Sequence, residues 1–383
     1  MLQTIIKRKD PFTKLKILSQ SAKYDDICIS YTKIKKIKNQ KGIYYASLPY
    51  GRHIPLLKVL YTNLCINNCK YCYNRRNNDI RRSCFSPKEL ANLVIEFYQK
   101  GYIKGLFLSS GIYPSADHTM ELMIKTAEIL RKKFEFKGYI HLKILPGTSK
   151  ELIKKAIILA DRVSCNIELP TSQSLKKIAP DKDLNSLIST LETIYRIKTE
   201  TEKPISTSTQ LIIGATPDSD KTILKLTTKL YKNNLVNRVY YSAYIPINKD
   251  KDLPQINVPP FMREYRLYQA DFLIRFYGFD VDELFQKNEN LNLNLDPKTN
   301  WALSHPDFFP VEITKADYWE LIRIPGIGPS LAKKIIKIRK KEVINEEVLR
   351  NIGINIKKIA PFITLKGRTF NLSRKDLVQL DLF

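Results

Sequence analysis

The chain has little histidine, little cysteine and no long hydrophobic run. Four histidines and six cysteines are spread over 383 residues. A disulfide framework belongs to short exported domains dense in cysteine, so this composition argues against one. No stretch approaches the apolar length of a membrane span. The start, MLQTIIKRKDPFTKLKIL, lacks the apolar core and small-residue cleavage site of a secretory signal. A reducing, cytoplasmic setting is the resulting expectation, and it leaves metal binding or catalysis for clustered thiols. Long internal repeats are absent too.

Positive charge, by contrast, is plentiful. Sixty-four Lys and Arg against 38 Asp and Glu give a formal charge of +26. Such a balance suits a polyanionic partner, nucleic acid first among them. Richness in Lys, Ile and Asn is also what an AT-rich coding sequence yields. Charge alone therefore leaves nucleic-acid binding and a merely solvated surface equally open. At 43% hydrophobic, the chain can bury an enzyme-sized core and more than one domain.

From Pro55 onward, strand-like and helix-like patterns alternate. LLKVLY (56–61), GLFLSS (105–110), YIHLKIL (139–145), RVSCNIEL (162–169), ISTSTQLIIG (205–214) and NRVYYSAYIPI (237–247) read as buried strands. Amphipathic stretches such as 86–100, 119–134 and 220–233 separate them. The order predicts an α/β fold, a partial (β/α)6 barrel of the TIM type over 55–247, behind an N-terminal extension, 1–54. Residues 248–313, with NKDKDLPQINVPP and an Asn-rich passage, read as a connector and helical wrap. A compact all-α module is expected over 314–366 and a tail over 367–383.

Within VLYTNLCINNCKYCYNRR, Cys65, Cys69 and Cys72 stand at C-x3-C-x2-C spacing, directly after the first predicted barrel strand. Chemistry in parallel sheets gathers at this carboxyl end of the strands. Zinc asks for four tetrahedral ligands, and only Cys84 offers a fourth nearby. A [4Fe–4S] cluster accepts three thiolates and leaves one iron open. The residues alone favour the cluster and leave zinc open.

The C-x3-C-x-aromatic-C pattern, with Tyr71 before the third thiol, resembles the signature of the radical S-adenosylmethionine (SAM) superfamily. The resemblance implies a [4Fe–4S] cluster on the three cysteines and S-adenosylmethionine on the open iron. It also implies reductive cleavage to a 5′-deoxyadenosyl radical, with electrons from a donor such as flavodoxin or ferredoxin. Ser109-Ser110-Gly111 stands where that superfamily has a Gly-rich turn for the methionine moiety, two serines replacing glycines. Asn166 and Glu168 alternate at the end of the fourth strand toward the ribose, and Gly214 falls beside adenine. Parity alone adds Lys143, Tyr241 and Tyr244 to the lining. Cys165 reads as core, and Cys84 as the start of a helix; Cys28 and Cys84 read as inert thiols rather than hydrogen donors.

A second motif lies in DYWELIRIPGIGPSLAKKIIKIRKK (317–341). Pro325-Gly326-Ile327-Gly328 forms a tight reversal between two helices, with Lys333, Lys334 and Lys337 following. It resembles the helix–hairpin–helix module of DNA-repair proteins, and VLRNIGINIKKIAPFI (348–363) resembles a degenerate second copy. Such pairs grip duplex phosphates without reading sequence. A hairpin for protein contacts is the alternative. YRLYQADFLIRFYGF, LNLDPKTNWAL and the hairpin are also similar to a family that joins the two modules, described as DNA modification or repair proteins. That resemblance implies DNA as substrate and a uracil-DNA-glycosylase-like partner. RNA as substrate, or a structural cluster in a DNA-binding protein, are the other readings. Finally, Gln379-Leu380-Asp381-Leu382-Phe383 resembles the peptide by which bacterial repair proteins dock on the sliding clamp.

Overall fold

The structure is a computed structural model, and it describes residues 10–23, 42–47, 53–285 and 288–370. Cys28 and Gln379–Phe383 lie outside the described residues, and with them the clamp-peptide reading. The chain divides into two compact units, 1–218 with 229–259, and 219–228 with 260–383. The stretch read as connector and wrap is thus shared between them.

The first unit opens with helix α1 (Pro11–Lys23), whose first turn is fastened by Asp10 accepting from the Phe12 and Thr13 amides. Strands β1 (Ile43–Ser47) and β2 (His53–Leu60) pair antiparallel. Helix α2 (Pro87–Gln99) starts at a reciprocal capping box between Ser86 and Glu89. Then follow β3 (Gly105–Ser109), α3 (Ala116–Glu128), β4 (Tyr139–Lys143), α4 (Lys150–Leu159) and β5 (Arg162–Ser164). Helices α5 (Ser172–Ile178) and α6 (Leu184–Glu200), β6 (Ser206–Ile213), α7 (Asp220–Lys232), whose residues 220–228 fall in the second unit, and β7 (Arg238–Ala243) complete the alternation. The strands lie in sequence order in one seven-stranded sheet. From β2 to β7 they are parallel, as six predicted strands separated by helices require. The antiparallel β1 is an addition that the sequence reading did not assign.

Period-2 alternation divides the two faces of this open half-barrel. Leu57, Val59, Leu106, Leu108, Ile140, Leu142 and Val163 are fully buried on the helix-covered side, beside Leu90 and Val94 of α2 and Met120 and Met123 of α3. The concave side carries the other parity, matched across the register: Lys58 with Phe107 and His141, Lys143 with Ser164 and Ser208, Gln210 with Tyr240. A parallel sheet buried for stability alone would be apolar on both faces. Here the inner face is polar, which suits a ligand.

Two expectations are corrected. The fourth strand stops at Ser164 rather than Leu169: the Ile167 amide turns to Thr209 Oγ1, and Glu168 takes a left-handed φ of 70°. Cys84 does not begin a helix; it bridges antiparallel to Thr62, and α2 starts at Pro87.

The second unit begins with α8 (Phe261–Phe276) and α9 (Pro297–Leu303), then a short strand, β8 (Val311–Glu312). Helices α10 (Tyr318–Arg323), α11 (Pro329–Ile338), α12 (Glu346–Asn351) and α13 (Ile356–Ile359) follow, then β9 (Ile363–Leu365) and β10 (Arg368–Thr369). The module is therefore not all-α: β8, β9 and β10 form a three-stranded sheet. Glu312 fastens it, accepting from Thr314 Oγ1 and the Lys366 and Gly367 amides. Beside α9, the Arg323 guanidinium lies 3.8 Å from the Phe279 ring centroid and 5.0 Å from that of Trp301, while pairing with Glu283.

Candidate metal centre and C-terminal hairpin

Cys65, Cys69 and Cys72 lie on the loop that leaves β2, where the sheet's carboxyl edge opens. Five features hold this loop in shape. Asn63, fully buried, takes the Ser83 amide on its oxygen and gives its amide hydrogens to Ser21 Oγ and the Arg81 carbonyl. The Arg82 guanidinium donates to the carbonyls of Asn63, Asn74, Arg75 and Asn78, stapling both ends of the loop together. From beyond β7, Asn248 Nδ2 donates to the carbonyls of Lys70 and Cys72. Lys70 and Arg75 pair with Asp250, and Lys70 also with Asp252. On the far side, the Asn68 amide donates to Asp181 and the Lys70 amide to the Ile178 carbonyl.

The stretch 248–252, read as a connector, is therefore a strap across the cysteine loop. Nothing in its composition signalled this, because Asn and Asp are equally at home in turns. Arg82 was likewise invisible among many basic residues.

Ser109, Ser110 and Gly111 brace the start of the loop. The Ser109 carbonyl accepts from the Tyr61 amide, and Ser110 Oγ shares hydrogen bonds with the Thr62 backbone. Gly111 lies so near that an added Cβ would stand 2.2 Å from the Leu64 carbonyl oxygen. Only glycine allows this approach. Gly214, at the end of β6, adopts φ 82°.

Glu168 and Asn166 are both buried, but their partners differ. Asn166 Nδ2 donates to Gln210 Oε1 at 3.2 Å. Glu168 receives the Lys182 ammonium at 2.8 Å, and the same ammonium reaches the Tyr71 hydroxyl at 3.4 Å. Lys182 carries no motif signal, and the sequence reading missed it. Burial opposes its charge, yet Glu168 and then Tyr71 outweigh that and hold it well above the ordinary lysine range. A cation is thereby fixed beside Cys69. Lys143 lines a cleft with Ser164, Asn166, Ser208, Gln210 and Tyr240. Tyr241 is fully buried, and Tyr244 ends in a buried hydroxyl with no hydrogen-bond partner. Cys165 is fully buried, as a core thiol should be.

The donor set fits an iron–sulfur cluster. Cys69 is buried and the other two thiols are half-buried. Burial first, then the neighbouring Cys69, pushes the Cys72 thiol up to about 12, so a bound metal's charge is what would keep it a thiolate. The Asn74 amide donates to Cys72 Sγ, and Asn74 Oδ1 is buried without a partner. No three His, Cys, Asp or Glu side chains among the described residues are gathered around a single-ion site. A cubane demands less convergence, since each thiolate meets a different iron.

Residues 59–229 match the family model for the Radical SAM superfamily. Over this stretch, less than half of the chain, the barrel is similar to a radical SAM domain. Radical SAM proteins of this fold bind a [4Fe–4S] cluster and S-adenosylmethionine. Similar solved structures include the FeFe-hydrogenase maturase HydG from Carboxydothermus hydrogenoformans, at 16% identity and TM-score 0.45 over 56% of this chain and 50% of that one. Methylornithine synthase gives 12% identity and TM-score 0.45 over 56% and 60%. Coproporphyrinogen III oxidase from Escherichia coli gives 14% and 0.38 over 56% and 51%. The chain thus spans half to three fifths of the length of these structures. No curated protein sequence matches it. Among the described residues no helix is long and apolar enough to cross a membrane.

In the second unit, Ile324–Gly328 makes a tight turn from α10 into α11. Gly326 has φ 90°, and an added Cβ would sit 3.1 Å from Ile359 Cγ2 of α13. The turn thus packs on the second helix pair, α12 and α13, whose own turn holds Gly353 at φ 94°. The side chains of Pro325 and Ile327 are buried and fill the space under the turn. Gly326 and the side chains of Lys333, Lys334 and Lys337 are exposed. Lys298 of α9 donates to the Ile327 carbonyl from below, its ammonium 4.8 Å from the Tyr277 ring centroid. Burial lowers this lysine to about 7.

Proposed function

We propose that this protein is a radical SAM enzyme that modifies or repairs DNA. The bound cluster and S-adenosylmethionine supply a hydrogen-abstracting radical chemistry. The chain's own residues do the rest. Cys65, Cys69 and Cys72 hold the cluster, the strap and Arg82 fix the loop, and Gly111 keeps the second strand's turn close to it. Asn166, Glu168 and Gly214 border the space for the nucleoside part of the cofactor. The polar concave face, with Ser164, Ser208 and Gln210, receives the substrate group and keeps it apart from bulk water.

The observation that carries the nucleic-acid reading is the α10–α11 turn. It presents an exposed Gly326, an α11 N-terminus without a side-chain cap, and three exposed lysines on one helix. Backbone amides and lysines in that arrangement suit a phosphate oxygen rather than a base edge. A duplex gripped in this way must expose its target by extrusion, or offer one already unstacked by damage. A glycosylase-like partner, a clamp contact and a flavodoxin or ferredoxin donor remain part of the proposal.

Reconstituted protein with reductant, S-adenosylmethionine and deuterated oligonucleotides tests it. Deuterium should appear in released 5′-deoxyadenosine with DNA and not with RNA. Transfer from RNA alone would move the substrate to RNA, and no release with either would leave a structural cluster. Gly326→Ala with Lys333→Ala should weaken duplex binding evenly across sequences and flatten its salt dependence by about one unit of slope. Unchanged binding would remove the turn from the interface.

A further inference from the structure

Lys182 and Glu168 bury an ion pair beside the cysteine loop, with side chains only 11% and 10% exposed. Desolvation makes such a pair a poor source of stability, and well-packed apolar residues serve as well or better. The pair therefore asks for a role other than holding the barrel together. Its placement is specific. Lys182 stands in the turn between α5 and α6, where its own amide donates to the Ala179 carbonyl. Two amides of the cysteine loop dock that turn, Asn68 donating to Asp181 Oδ2 at 2.6 Å and Lys70 to the Ile178 carbonyl at 2.7 Å. Glu168 is held as firmly: its amide donates to the Gln210 carbonyl, and its carbonyl accepts from the Ile212 amide.

The ammonium lies on the cysteine side of the pair. Besides Glu168 it reaches the Tyr71 hydroxyl at 3.4 Å, and Tyr71 stands between Cys69 and Cys72 in the chain. At Cys69 the Lys182 charge outweighs that of Glu168, and the charge of Asp181 is weaker still. The other cations of the loop differ. Lys70 and Arg75 pair with Asp250, and Lys70 also with Asp252, both carboxylates more exposed than Glu168. Water and salt screen a buried charge less than one at the surface, so Lys182 acts on its surroundings more strongly than a surface lysine does.

We propose that Lys182 is a fixed positive charge that raises the reduction potential of the cluster on Cys65, Cys69 and Cys72, with Glu168 holding that charge in place. The inference rests on the reading of these three cysteines as cluster ligands. The step it governs is the entry of one electron from a low-potential one-electron donor. No bond is made or broken, and no proton has to move. A cation beside the thiolates favours the reduced cluster, which carries one more negative charge. The cluster is thereby easier for its donor to reduce.

Redox titration of the reconstituted full chain without S-adenosylmethionine, followed by electron paramagnetic resonance, tests this. Lys182→Met should disfavour reduction roughly tenfold, a fall of about 59 mV for one electron. Lys182→Arg keeps the charge and should titrate like wild type. Lys182→Met combined with Glu168→Gln strands no charge and should fall between wild type and Lys182→Met. Iron content measured on every sample separates a lost charge from a lost fold. An iron-replete Lys182→Met protein with the wild-type potential overturns the proposal, even if it binds S-adenosylmethionine less tightly. So does Lys182→Arg titrating like Lys182→Met. Where Lys182→Met takes up no iron, the double variant decides, and a potential equal to wild type or above it overturns the proposal. Wild type that takes up no iron overturns the cluster reading itself, and the inference with it.

Discussion

Asn248 Nδ2 donates to the Cys72 carbonyl at 2.9 Å, joining residues 176 positions apart. The contact ties the metal-binding loop to the chain leaving the last barrel strand, so the loop's shape is set from both ends of the domain. Outer partners of metal ligands commonly change metal affinity 10- to 100-fold. Asn248→Ala and Asp250→Ala should each speed loss of iron to a chelator from the reconstituted protein by about 10-fold. Release monitored by visible absorbance checks this, and a rate equal to wild type would show the strap to be passive.

Close approach of Gly111 to Leu64 makes a sharper test of the loop's start. A methyl group there meets a carbonyl oxygen, which cannot swing aside as a flexible side chain would. Gly111→Ala should cost about 1–3 kcal/mol by overpacking. It should also reduce iron incorporation, because the displaced backbone leads directly into Cys65. Urea unfolding and iron content read the two effects separately.

What the sequence made legible follows from the range of each signal. Strands such as GLFLSS and LLKVLY declared themselves because burial against helices fixes their composition locally. The three cysteines did so because cluster chemistry fixes their spacing. The hairpin turn was readable for a similar reason, since Gly326 must tolerate φ 90°. Lys182, Arg82 and Asn248 act through partners far away in sequence, and no local pattern distinguishes them from surface residues. Glu168 was named for alternation along a strand that in fact ends four residues earlier. It lies at the site through a left-handed φ, an isolated parallel bridge to Leu211 of β6 and an ion pair, beyond the end of its strand. Pro325 and Ile327 were named with a turn whose amides were read as facing outward; that their side chains are buried beneath it is a distinction the motif does not draw.

The Lys182–Glu168 pair is predicted to be asymmetric under mutation. Both side chains are about nine-tenths buried, at 11% and 10% exposure. Removing one partner strands the other's charge, which costs about 3–5 kcal/mol for a buried pair. Lys182→Met should therefore destabilise the barrel unit more than the double change with Glu168→Gln. A double-mutant cycle by urea unfolding checks the order, and a double variant worse than Lys182→Met would refute it.

Lys298 gives the second unit a pH dependence of definite sign. Burial lowers the folded lysine to about 7, while the unfolded chain keeps the ordinary value near 10.5. Between these values the unfolded state binds more protons, so stability rises as the pH is raised from about 7 toward 10. Below pH 7 both states are protonated and the burial penalty is fully present. Lys298→Met removes the titration but leaves the Ile327 carbonyl without this donor, a loss of about 1–3 kcal/mol. The variant should come closest to wild type near pH 6 and fall progressively behind as the pH rises to 9.5. Tryptophan fluorescence isolates the effect, because both tryptophans of the chain, Trp301 and Trp319, belong to this unit. A gap between the two proteins that stays constant from pH 6 to 9.5 would mean that Lys298 is charged to the same degree in both states. Its ammonium would then support the hairpin at every pH.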